Sequence, residues 1–374
     1  MKIPGCIIDT DIKRVVVKIG SKILTPTSQG EHIGRISAHI ADILSLMEQG
    51  VSVVLVSSGA VSHGRVKLQL SQRPRTIPLK QACAGVGQIE LLTLYSRLLE
   101  KKGVQCGQIL LTWDDIADKK RYNNLRNALF TMLDNGILPI INENDSVGVE
   151  EITFGDNDTL AAQIATILNA DLFVMLTDIN GVYTANPQKD PEAQQLQQIE
   201  KIDNSLRAMA DADGSDVGTG GMVTKINAAD MVTRAGIAAV IGNGYDYSLL
   251  SLLRMSGVST FFVPTQKRMS GKKRFLAFTD TPTGTVYVDR GAYTAIATKG
   301  KSLLPAGVLS VSDGIQPGDT VDICCEGRSF ARGISNYATE DIRKINGKKT
   351  EDLARISGEG TYNEVVHRNN LVVL

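Results

Sequence analysis

Two lysines lie beside glycines where a predicted strand or helix meets a loop. Lys18 comes near the end of the apolar run "RVVVKIG" (14–20), and Lys225 follows the glycines of "GTGGMVTKINAADMVTRAG" (218–236). Glycine allows the backbone to approach a ligand closely, and the N–H groups at the start of a helix attract anions. Two such cations could neutralise a phosphoryl group during its transfer, because that reaction depends mainly on positioning and positive charge. The alternative is that each lysine is only the solvated end of its element.

The glycine segment matches neither of the two common phosphate-binding patterns. A P-loop places a glycine directly before its lysine, whereas Lys225 follows Thr224. The dinucleotide-binding pattern needs a third glycine where Val223 stands. If this segment holds phosphate, it does so in a different fold.

Carboxylates and amides are concentrated in a second segment, "INENDSVGVEEITFGDNDTL" (141–160). Asp145, Asn157 and Asp158 lie in or beside a predicted loop that leads into an amphipathic helix. One alternative is that a residue among 156–158 caps this helix, and another is that "NEND" is only a polar turn. A cap accounts for one residue but not for the number of carboxylates and amides, which favours a functional role.

Signatures of other chemistries are absent from the sequence. It has no GxSxG, HExxH or Ser/His/Asp pattern, and its four histidines lack the spacing of metal ligands. The stretch "DADGSD" (211–216) begins like a calcium loop, but its glycine comes two positions early and the later glutamate is missing. We interpret it as an acidic loop, and we predict no side chain as a direct metal ligand.

Short apolar runs alternate with helical patterns up to about residue 264. Seven runs are typical of buried strands: 14–20, 51–58, 104–111, 136–142, 171–177, 237–242 and 260–264. Apolar residues recur at helical spacing between the first two runs and over 80–101, 121–135, 158–169 and 225–235. This alternation predicts an α/β fold, with a mainly parallel sheet sandwiched by helices.

Ligands of such sheets bind beyond the carboxyl ends of the strands. The residues expected there are small or polar with few exceptions: Lys18, Gly20 and Ser21; Ser57, Ser58 and Gly59; 142–145; Thr177 and Asp178; and 242–244. They favour a site at this edge only modestly, because loops are polar in any case.

A polar, basic stretch, "KRMSGKKR" (267–274), predicts a linker. The runs "GTVYVD", "AGVLSVS", "GDTVDICC" and "SFARGIS" follow it, separated by Gly, Pro and Asp. They predict a small, mainly β second domain. We therefore predict a first domain over 1–266, a linker over 267–275 and a second domain over 276–374.

Composition and charge limit the classes of function. The 374 residues are 43% hydrophobic and 21% charged, with a net charge of zero, which is typical of a globular protein and unlike a dedicated nucleic-acid binder. Five cysteines without a CxxC spacing fit no disulfide framework and predict reduced thiols. Neither a signal peptide nor an apolar run of the ~20 residues needed to span a membrane is recognisable. We expect a soluble, cytoplasmic protein without a membrane partner.

These motifs, in this order, resemble the glutamate 5-kinases of the amino-acid-kinase family. The resemblance lies in "VVVKIGSKILT", "VVLVSSGAVSHG", "QILLTWDDIADKKRYNNLRNAL", "INENDSV", "FGDNDTLAAQIA", "LTDINGVYTANP" and "GTGGMVTKINAA". It covers essentially the whole chain, because "GKSLLPAGV", "ARGISNYATEDI" and "EVVHRNNLVVL" resemble a PUA domain. The sequence departs from the family at Lys22, where a small hydroxyl or hydrophobic residue is frequent, and at Asn180 and Asn186, where Asp is common.

The resemblance implies ATP-dependent phosphorylation of the γ-carboxylate of L-glutamate to L-glutamyl 5-phosphate, the first step of proline biosynthesis. It further implies Mg²⁺, feedback inhibition by proline, and a homo-oligomer, either a dimer or a tetramer. The implied catalytic residues are Lys18, Lys225 and Asp158, with Asp158 ordering the two lysines. The implied glutamate site comprises Ser58, Asp145 and Asn157, and the implied ATP site comprises Lys18, Thr177, Asp178, Thr219, Gly220, Gly221, Met222, Val223, Thr224 and Lys225.

The chemistry of this reaction agrees with the residues present. A glutamate side chain, with a pKa near ~4.3, is already ionised at neutral pH, so the reaction needs no general base and no histidine. The α-ammonium of the substrate needs a carboxylate partner, which Asp145 can supply. Asp145 therefore favours the free amino acid over acetylglutamate.

Two alternatives remain open at this point. The first is another kinase of the same family, acting on acetylglutamate, carbamate or a nucleoside monophosphate. The second is an RNA-binding protein whose PUA-like domain binds the RNA. From Lys267 onward Lys and Arg only slightly outnumber Asp and Glu, and aromatic residues are few, so RNA is not the expected partner.

Overall fold

A computed structural model describes residues 11–148, 157–187, 189–211, 221–254, 257–264, 269, 271–278, 280–348 and 363–374. Thr219 and Gly220 of the predicted ATP site lie outside the described residues, as do the first residues of the chain. The described residues form two compact units: the first comprises residues 11–116 and 120–264, and the second comprises residues 117–119 and 269–374. The domain limits given above stay predictions.

The first unit is built on an eight-stranded sheet of order β3-β4-β2-β1-β5-β9-β10-β8. Its strands are β1 (Arg14–Ile19), β2 (Ser52–Val56), β3 (Cys106–Leu111), β4 (Leu138–Glu143), β5 (Leu172–Thr177), β8 (Gln198–Ile199), β9 (Ala238–Asn243) and β10 (Ser259–Phe262). A separate two-stranded ladder joins β6 (Val182–Tyr183) to β7 (Gln195–Leu196). Every pair in the large sheet is parallel except β9–β10. The predicted mainly parallel sheet is confirmed, with all seven predicted strands present.

Helices cover both faces of this sheet. They are α1 (Ser21–Leu24), α2 (Glu31–Glu48), α3 (Ala60–Lys67), α4 (Ile77–Glu100), α5 (Trp113–Ala117), α6 (Lys119–Asp134), α7 (Asn157–Leu168), α8 (Asn204–Asp211), α9 (Met222–Arg234) and α10 (Leu249–Arg254). In β1 the consecutive residues Val15, Val16 and Val17 are all fully buried. Since successive side chains of a strand point to opposite faces, both faces of the sheet are covered.

The long predicted helices are present and begin up to three residues earlier than expected. The sequence did not predict α1, α3, α5, α8 and α10, which span only four to eight residues each. Such short segments contain too few turns for a helical period to emerge. In the part of the chain that the structure describes, no helix is long and apolar enough to cross a membrane.

The strand order of the sheet changes direction between β1 and β5. From β1 the sheet continues through β2 on one side and through β5 and β9 on the other, which opens a crevice at the carboxyl ends of these two strands. Gly20, just after β1, donates its backbone N–H to the carbonyl of Leu176 over 2.9 Å. A Cβ at position 20 would lie 3.1 Å from that carbonyl oxygen. Glycine thus allows the loop after β1 to lie directly against the end of β5.

Two glycines set the distance between α3 and α4. A Cβ at Gly64 would overlap the carbonyl of Cys83, and one at Gly87 would overlap the carbonyl of Ala60. The two helix backbones therefore cross in direct contact. This crossing fixes α4 relative to the loop that connects β2 to α3.

The second unit contains a five-stranded mixed sheet of order β12-β11-β13-β14-β15. Its elements are α11 (Gly271–Phe278), β11 (Gly284–Val288), α12 (Arg290–Ala297), β12 (Val308–Val311), β13 (Thr320–Cys325), β14 (Arg328–Ile334), α13 (Thr339–Ile345) and β15 (Leu371–Val373). Its core is separate, with Val286, Ile323 and Ile342 fully buried. The predicted mainly β character is confirmed, but residues 271–275 of the predicted linker lie in α11 rather than in irregular chain.

Replacing Gly64 or Gly87 with alanine should lower the free energy of unfolding by at least about 2 kcal/mol, because the added methyl group would force the backbones of α3 and α4 apart. Gly34 is the matched control: it lies in α2 with nothing within 4 Å of a Cβ. Gly34→Ala should raise the stability by about 0.5–1 kcal/mol, since alanine favours a helix over glycine. Urea unfolding of the three variants measures this, and equal effects at all three sites would contradict the close crossing.

Candidate active site

Two buried lysines contact one buried carboxylate at the carboxyl end of the sheet. Lys18 Nζ lies 2.6 Å from Asp158 Oδ1, and Lys225 Nζ lies 3.2 Å from Asp158 Oδ2. Thr224 Oγ1 donates a hydrogen bond to the same Oδ2 over 2.8 Å. The exposed fractions are 7% for Lys18, 8% for Lys225 and 1% for Asp158. The interpretation of either lysine as a solvated end is therefore wrong.

Three elements bring this group together. Lys18 lies in β1, Asp158 in the first turn of α7, and Thr224 and Lys225 in the first turn of α9. In α7 every residue from Asp158 to Leu168 except Thr159 is buried, so this helix presents its carboxylate inside the molecule. The three ionised side chains together carry one net positive charge when both lysines are protonated.

The charges of the group shift its pKa values in predictable directions. Burial alone would raise the pKa of Asp158, but Lys18 and Lys225, with the hydrogen bonds from Lys18 and Thr224, hold it well below its usual range. Burial lowers the pKa of Lys225, and the charge of Asp158 opposes that shift. The carboxylate is therefore ionised at neutral pH and stabilises the ammonium of Lys225.

A network of amides and hydroxyls begins at the residue next to Asp158. Asn157 Nδ2 lies 3.1 Å from both Ser58 Oγ and Asn142 Oδ1, and donates to each. Asn142 Nδ2 in turn donates to Gln88 Oε1 over 2.8 Å. Asn157 Oδ1 is buried and has no hydrogen-bond partner among the described residues. A buried acceptor without a donor costs free energy, which a ligand N–H or O–H at this position would relieve.

The predicted residues of the glutamate site follow two adjacent strands. Ser58 comes after β2 and is 8% exposed, and the next residue, Gly59, has a φ of +90° that suits glycine. Asp145 is half-buried in the turn after β4, the parallel neighbour of β2. The structure thus brings Ser58 into direct contact with Asn157 and places Asp145 at the same edge of the sheet.

The predicted nucleotide residues lie after β5 and at the start of α9. Thr177 ends β5, and its Oγ1 donates to Asp178 Oδ1 over 3.2 Å. Lys22 Nζ donates to the other oxygen of Asp178 over 2.6 Å. Burial would raise the pKa of Asp178, but the hydrogen bond and charge of Lys22 hold it below its usual range.

Gly221 precedes α9 directly, and Met222 and Val223 are half-buried in its first turn. The carbonyl of Gly221 accepts a hydrogen bond from Thr224 Oγ1 over 2.9 Å. The same threonine therefore contacts both the end of the glycine segment and Asp158, so the glycine segment leads directly into the charged group.

Several supporting residues were not predicted. Gln88 and Tyr95 both come from α4: Gln88 holds Asn142, and Tyr95 Oη lies 3.0 Å from Ser57 Oγ. Arg207 of α8 donates to Asn227 and Asp230 of α9 over 2.7 and 2.8 Å, which fixes the helix that carries Lys225. These contacts join residues far apart in the sequence, so no local sequence pattern predicts them.

Within the described ranges, no group of three or more His, Cys, Asp or Glu side chains is placed to hold a metal ion. Both oxygens of Asp158 already contact lysines, and Asp178 is paired with Lys22. These two carboxylates do not form a metal site by themselves.

Comparison with known proteins identifies two domains. Residues 13–243 match the amino acid kinase family, and residues 284–357 match the PUA domain. The chain is 43% identical over 367 residues to a glutamate 5-kinase of Syntrophotalea carbinolica, covering 97% of this chain and 98% of that protein. Glutamate 5-kinases of Geobacter sp. strain M21 and Carboxydothermus hydrogenoformans are 42% and 41% identical, again over 97% of this chain and 98% of each relative.

Asp158→Asn should lower the free energy of unfolding by about 3–5 kcal/mol at neutral pH, because it leaves two buried lysines without their counter-ion. The folded-state pKa of Asp158 lies below its unfolded value. Its stabilising contribution is therefore complete above about pH 4 and is lost as the pH falls further. Urea unfolding at a series of pH values should show the difference from the wild type shrinking in acid.

Glu90→Gln is the control for this experiment, since Glu90 forms an exposed pair with Lys67 over 2.8 Å. Its effect should stay within about 0.5–1 kcal/mol. A difference between Asp158→Asn and the wild type that is small at neutral pH, or constant down to acid pH, would contradict the buried ion pairs.

Proposed function

The chain belongs to the amino acid kinase family, and from that premise we propose that it transfers the γ-phosphoryl group of ATP to the side-chain carboxylate of L-glutamate. The product is L-glutamyl 5-phosphate, which would make this reaction the first step of proline biosynthesis. The observation that carries the proposal is the pair of buried lysines on Asp158, directly beside the amide network of Asn157. Likeness to glutamate 5-kinases over 97% of the chain supports the choice of substrate.

Lys18 and Lys225 supply positive charge at the point of transfer. The attacking carboxylate and the γ-phosphoryl group are both negative, so their approach requires cations that are already in place. Asp158 keeps each ammonium within 3.2 Å of its own oxygens, and burial excludes competing water. Because the lysines are positioned before the substrates bind, little reorganisation is needed when they react.

The amide network would hold the other substrate. Ser58 Oγ and the unpartnered Asn157 Oδ1 offer polar atoms to glutamate, and Asp145 offers a carboxylate to its α-ammonium. Gln88 and Asn142 act as positioning residues. Asn142 accepts a hydrogen bond from Asn157, and Gln88 accepts one from Asn142. No residue needs to act as a general base, because the glutamate side chain is ionised at neutral pH, with a pKa near ~4.3.

Mg²⁺ would reach this site on the phosphates of ATP, where it supplies positive charge to their oxygens. Asp158 and Asp178 do not offer it a ready cage, because lysines already contact their oxygens. The nucleotide would be held by Lys18, Thr177, Asp178 and the glycine segment from Thr219 to Lys225.

The two alternatives are less well supported. Acetylglutamate, carbamate and a nucleoside monophosphate carry no α-ammonium, so none of them offers the Asp145 carboxylate a cationic partner. An RNA-binding function led by the second unit explains neither the buried lysines nor the amide network of the first unit.

Inhibition by proline and assembly into a dimer or tetramer stay predictions of the resemblance, and a cytoplasmic location stays a prediction from the composition. Cys83, Cys106, Cys324 and Cys325 are free thiols. They support the last of these, because free thiols are typical of a reducing compartment.

Lys225→Ala should reduce kcat for ATP-dependent formation of γ-glutamyl hydroxamate by about 100- to 1000-fold, because it removes a preorganised cation from the transferred phosphoryl group. Lys102, an exposed lysine after α4, is the control, and Lys102→Ala should keep wild-type activity. No product from a folded wild-type protein would refute L-glutamate as the substrate. Equal activity of both variants would remove Lys225 from the catalytic group.

Asp145→Asn should raise KM for L-glutamate about tenfold or more, while KM for ATP changes little, because it removes the charge that pairs with the α-ammonium. Acetylglutamate should be a poor acceptor for the wild type. The hydroxamate assay with each substrate varied in turn measures both constants. An unchanged KM for L-glutamate, or a preference for acetylglutamate, would contradict this role.

A further inference from the structure

A third lysine lies at the same edge of the sheet as the two buried ones. Lys22 lies in the short helix α1, which follows β1 directly after Gly20, four residues beyond Lys18. Its ammonium donates to Asp178 Oδ2 over 2.6 Å. Asp178 directly follows β5, the parallel neighbour of β1, so the ion pair lies across the opening between these two strands.

This pair differs from the buried group in its exposure to solvent. The side chain of Lys22 is 74% exposed and that of Asp178 is 32% exposed, against 10% or less for Lys18 and Lys225. Exposed ion pairs contribute little to stability, so the ammonium can exchange one anion for another at low cost. A lysine also has a flexible stem, which allows its charge to move by several ångströms.

The charges around Asp178 connect the two sites. Burial lowers the pKa of Lys225, and the charge of Asp178, after that of Asp158, weakly opposes this shift, so Asp178 interacts electrostatically with the buried group. A nucleotide that binds beside Lys225 would bring several negative charges close to Asp178, which would repel them. Lys22 compensates for Asp178 before the nucleotide arrives, and it is the exposed cation nearest to Asp178 among the contacts of the described residues.

We propose that Lys22 is a third phosphate-binding lysine, whose ammonium passes from Asp178 to the phosphate chain of the nucleotide when the nucleotide binds between β1 and β5. This inference rests on the proposed function, because it requires a nucleotide at this edge of the sheet. It assigns different tasks to the lysines. Lys18 and Lys225 are fixed at the transferred group, whereas Lys22 captures the phosphates from solvent.

A purely structural role for Lys22 would change the affinities of the ligands in a different pattern. If Lys22 only held Asp178 in place, its loss would weaken every ligand that contacts Asp178, including a nucleoside without phosphate. If Lys22 binds phosphate, its loss weakens ligands in proportion to their phosphate charge and leaves the nucleoside unaffected.

The test is isothermal titration calorimetry of the full chain with adenosine, AMP and ADP, for the wild type, Lys22→Met, Lys22→Arg and a matched control. Lys67→Met is that control, since Lys67 forms an exposed ion pair with Glu90 over 2.8 Å and neither residue belongs to the predicted nucleotide site. Lys22→Met should weaken ADP binding about 5- to 20-fold, AMP less, and adenosine by less than about twofold. Lys22→Arg should restore ADP binding to within about threefold of the wild type, and Lys67→Met should bind all three ligands normally.

Every other result of the titrations contradicts the proposal for Lys22, the proposed substrate, or both. Unchanged ADP binding by Lys22→Met refutes the phosphate role, and equal losses for adenosine and ADP show that Lys22 acts through Asp178 alone. A wild-type protein that binds ADP but makes no hydroxamate refutes L-glutamate as the substrate while the proposal for Lys22 stands. A folded wild type that does not bind ADP refutes both proposals.

Discussion

The contact of two ammonium groups with one buried carboxylate is the constraint on which the catalytic unit depends. Removing three charges from water is costly, and a hydrophobic cluster of the same volume would often be more stable. The cost is reduced only when the charges meet at hydrogen-bonding distance, as Lys18, Asp158 and Lys225 do at 2.6 and 3.2 Å. β1, α7 and α9 must therefore meet at one point, and the strand order supplies that point at the carboxyl end of β1, beside β5.

The surrounding contacts can be understood as supports for this meeting point. Gly20 allows the loop after β1 to lie against the end of β5, and Arg207 fixes α9 through two hydrogen bonds. On the other side, Gly64 and Gly87 bring α4 close enough for Gln88 to hold Asn142 and, through it, Asn157. Asn157 and Asp158 are consecutive residues at the start of one helix. The amide network of Asn157 and the lysine–aspartate group of Asp158 are thus joined by a single peptide bond, so neither can shift without the other.

The sequence was most informative at residues whose type restricts their surroundings, such as the apolar residues of a buried strand and the glycines beside a lysine. Alternating apolar runs predicted the parallel sheet, and the glycines beside Lys18 and Lys225 predicted that these two lysines belong to one site. The burial of these lysines and their common partner could not be predicted, because they depend on the docking of α9 against α7, elements separated by more than fifty residues. Gln88 and Arg207 were missed for the same reason: each has an ordinary helical context and acquires its role from a distant partner. The helix over Gly271–Phe278 was missed because its basic, glycine-containing start is typical of a linker.

The arrangement of charge agrees with the demands of phosphoryl transfer between two anions. A buried group of two lysines and one aspartate has one net positive charge, which offsets one negative charge of the reacting pair without creating a strong field in the resting protein. Without Asp158, two adjacent ammonium groups would repel each other, and burial would drive at least one of them to lose its proton. In the proposed reaction the carboxylate of Asp158 would act without touching either reacting atom, because it keeps the lysines charged and in place. Charge that must be fixed is buried with its counter-ion, whereas charge that must exchange partners, as at Lys22 and Asp178, stays at the surface, where exchange is inexpensive.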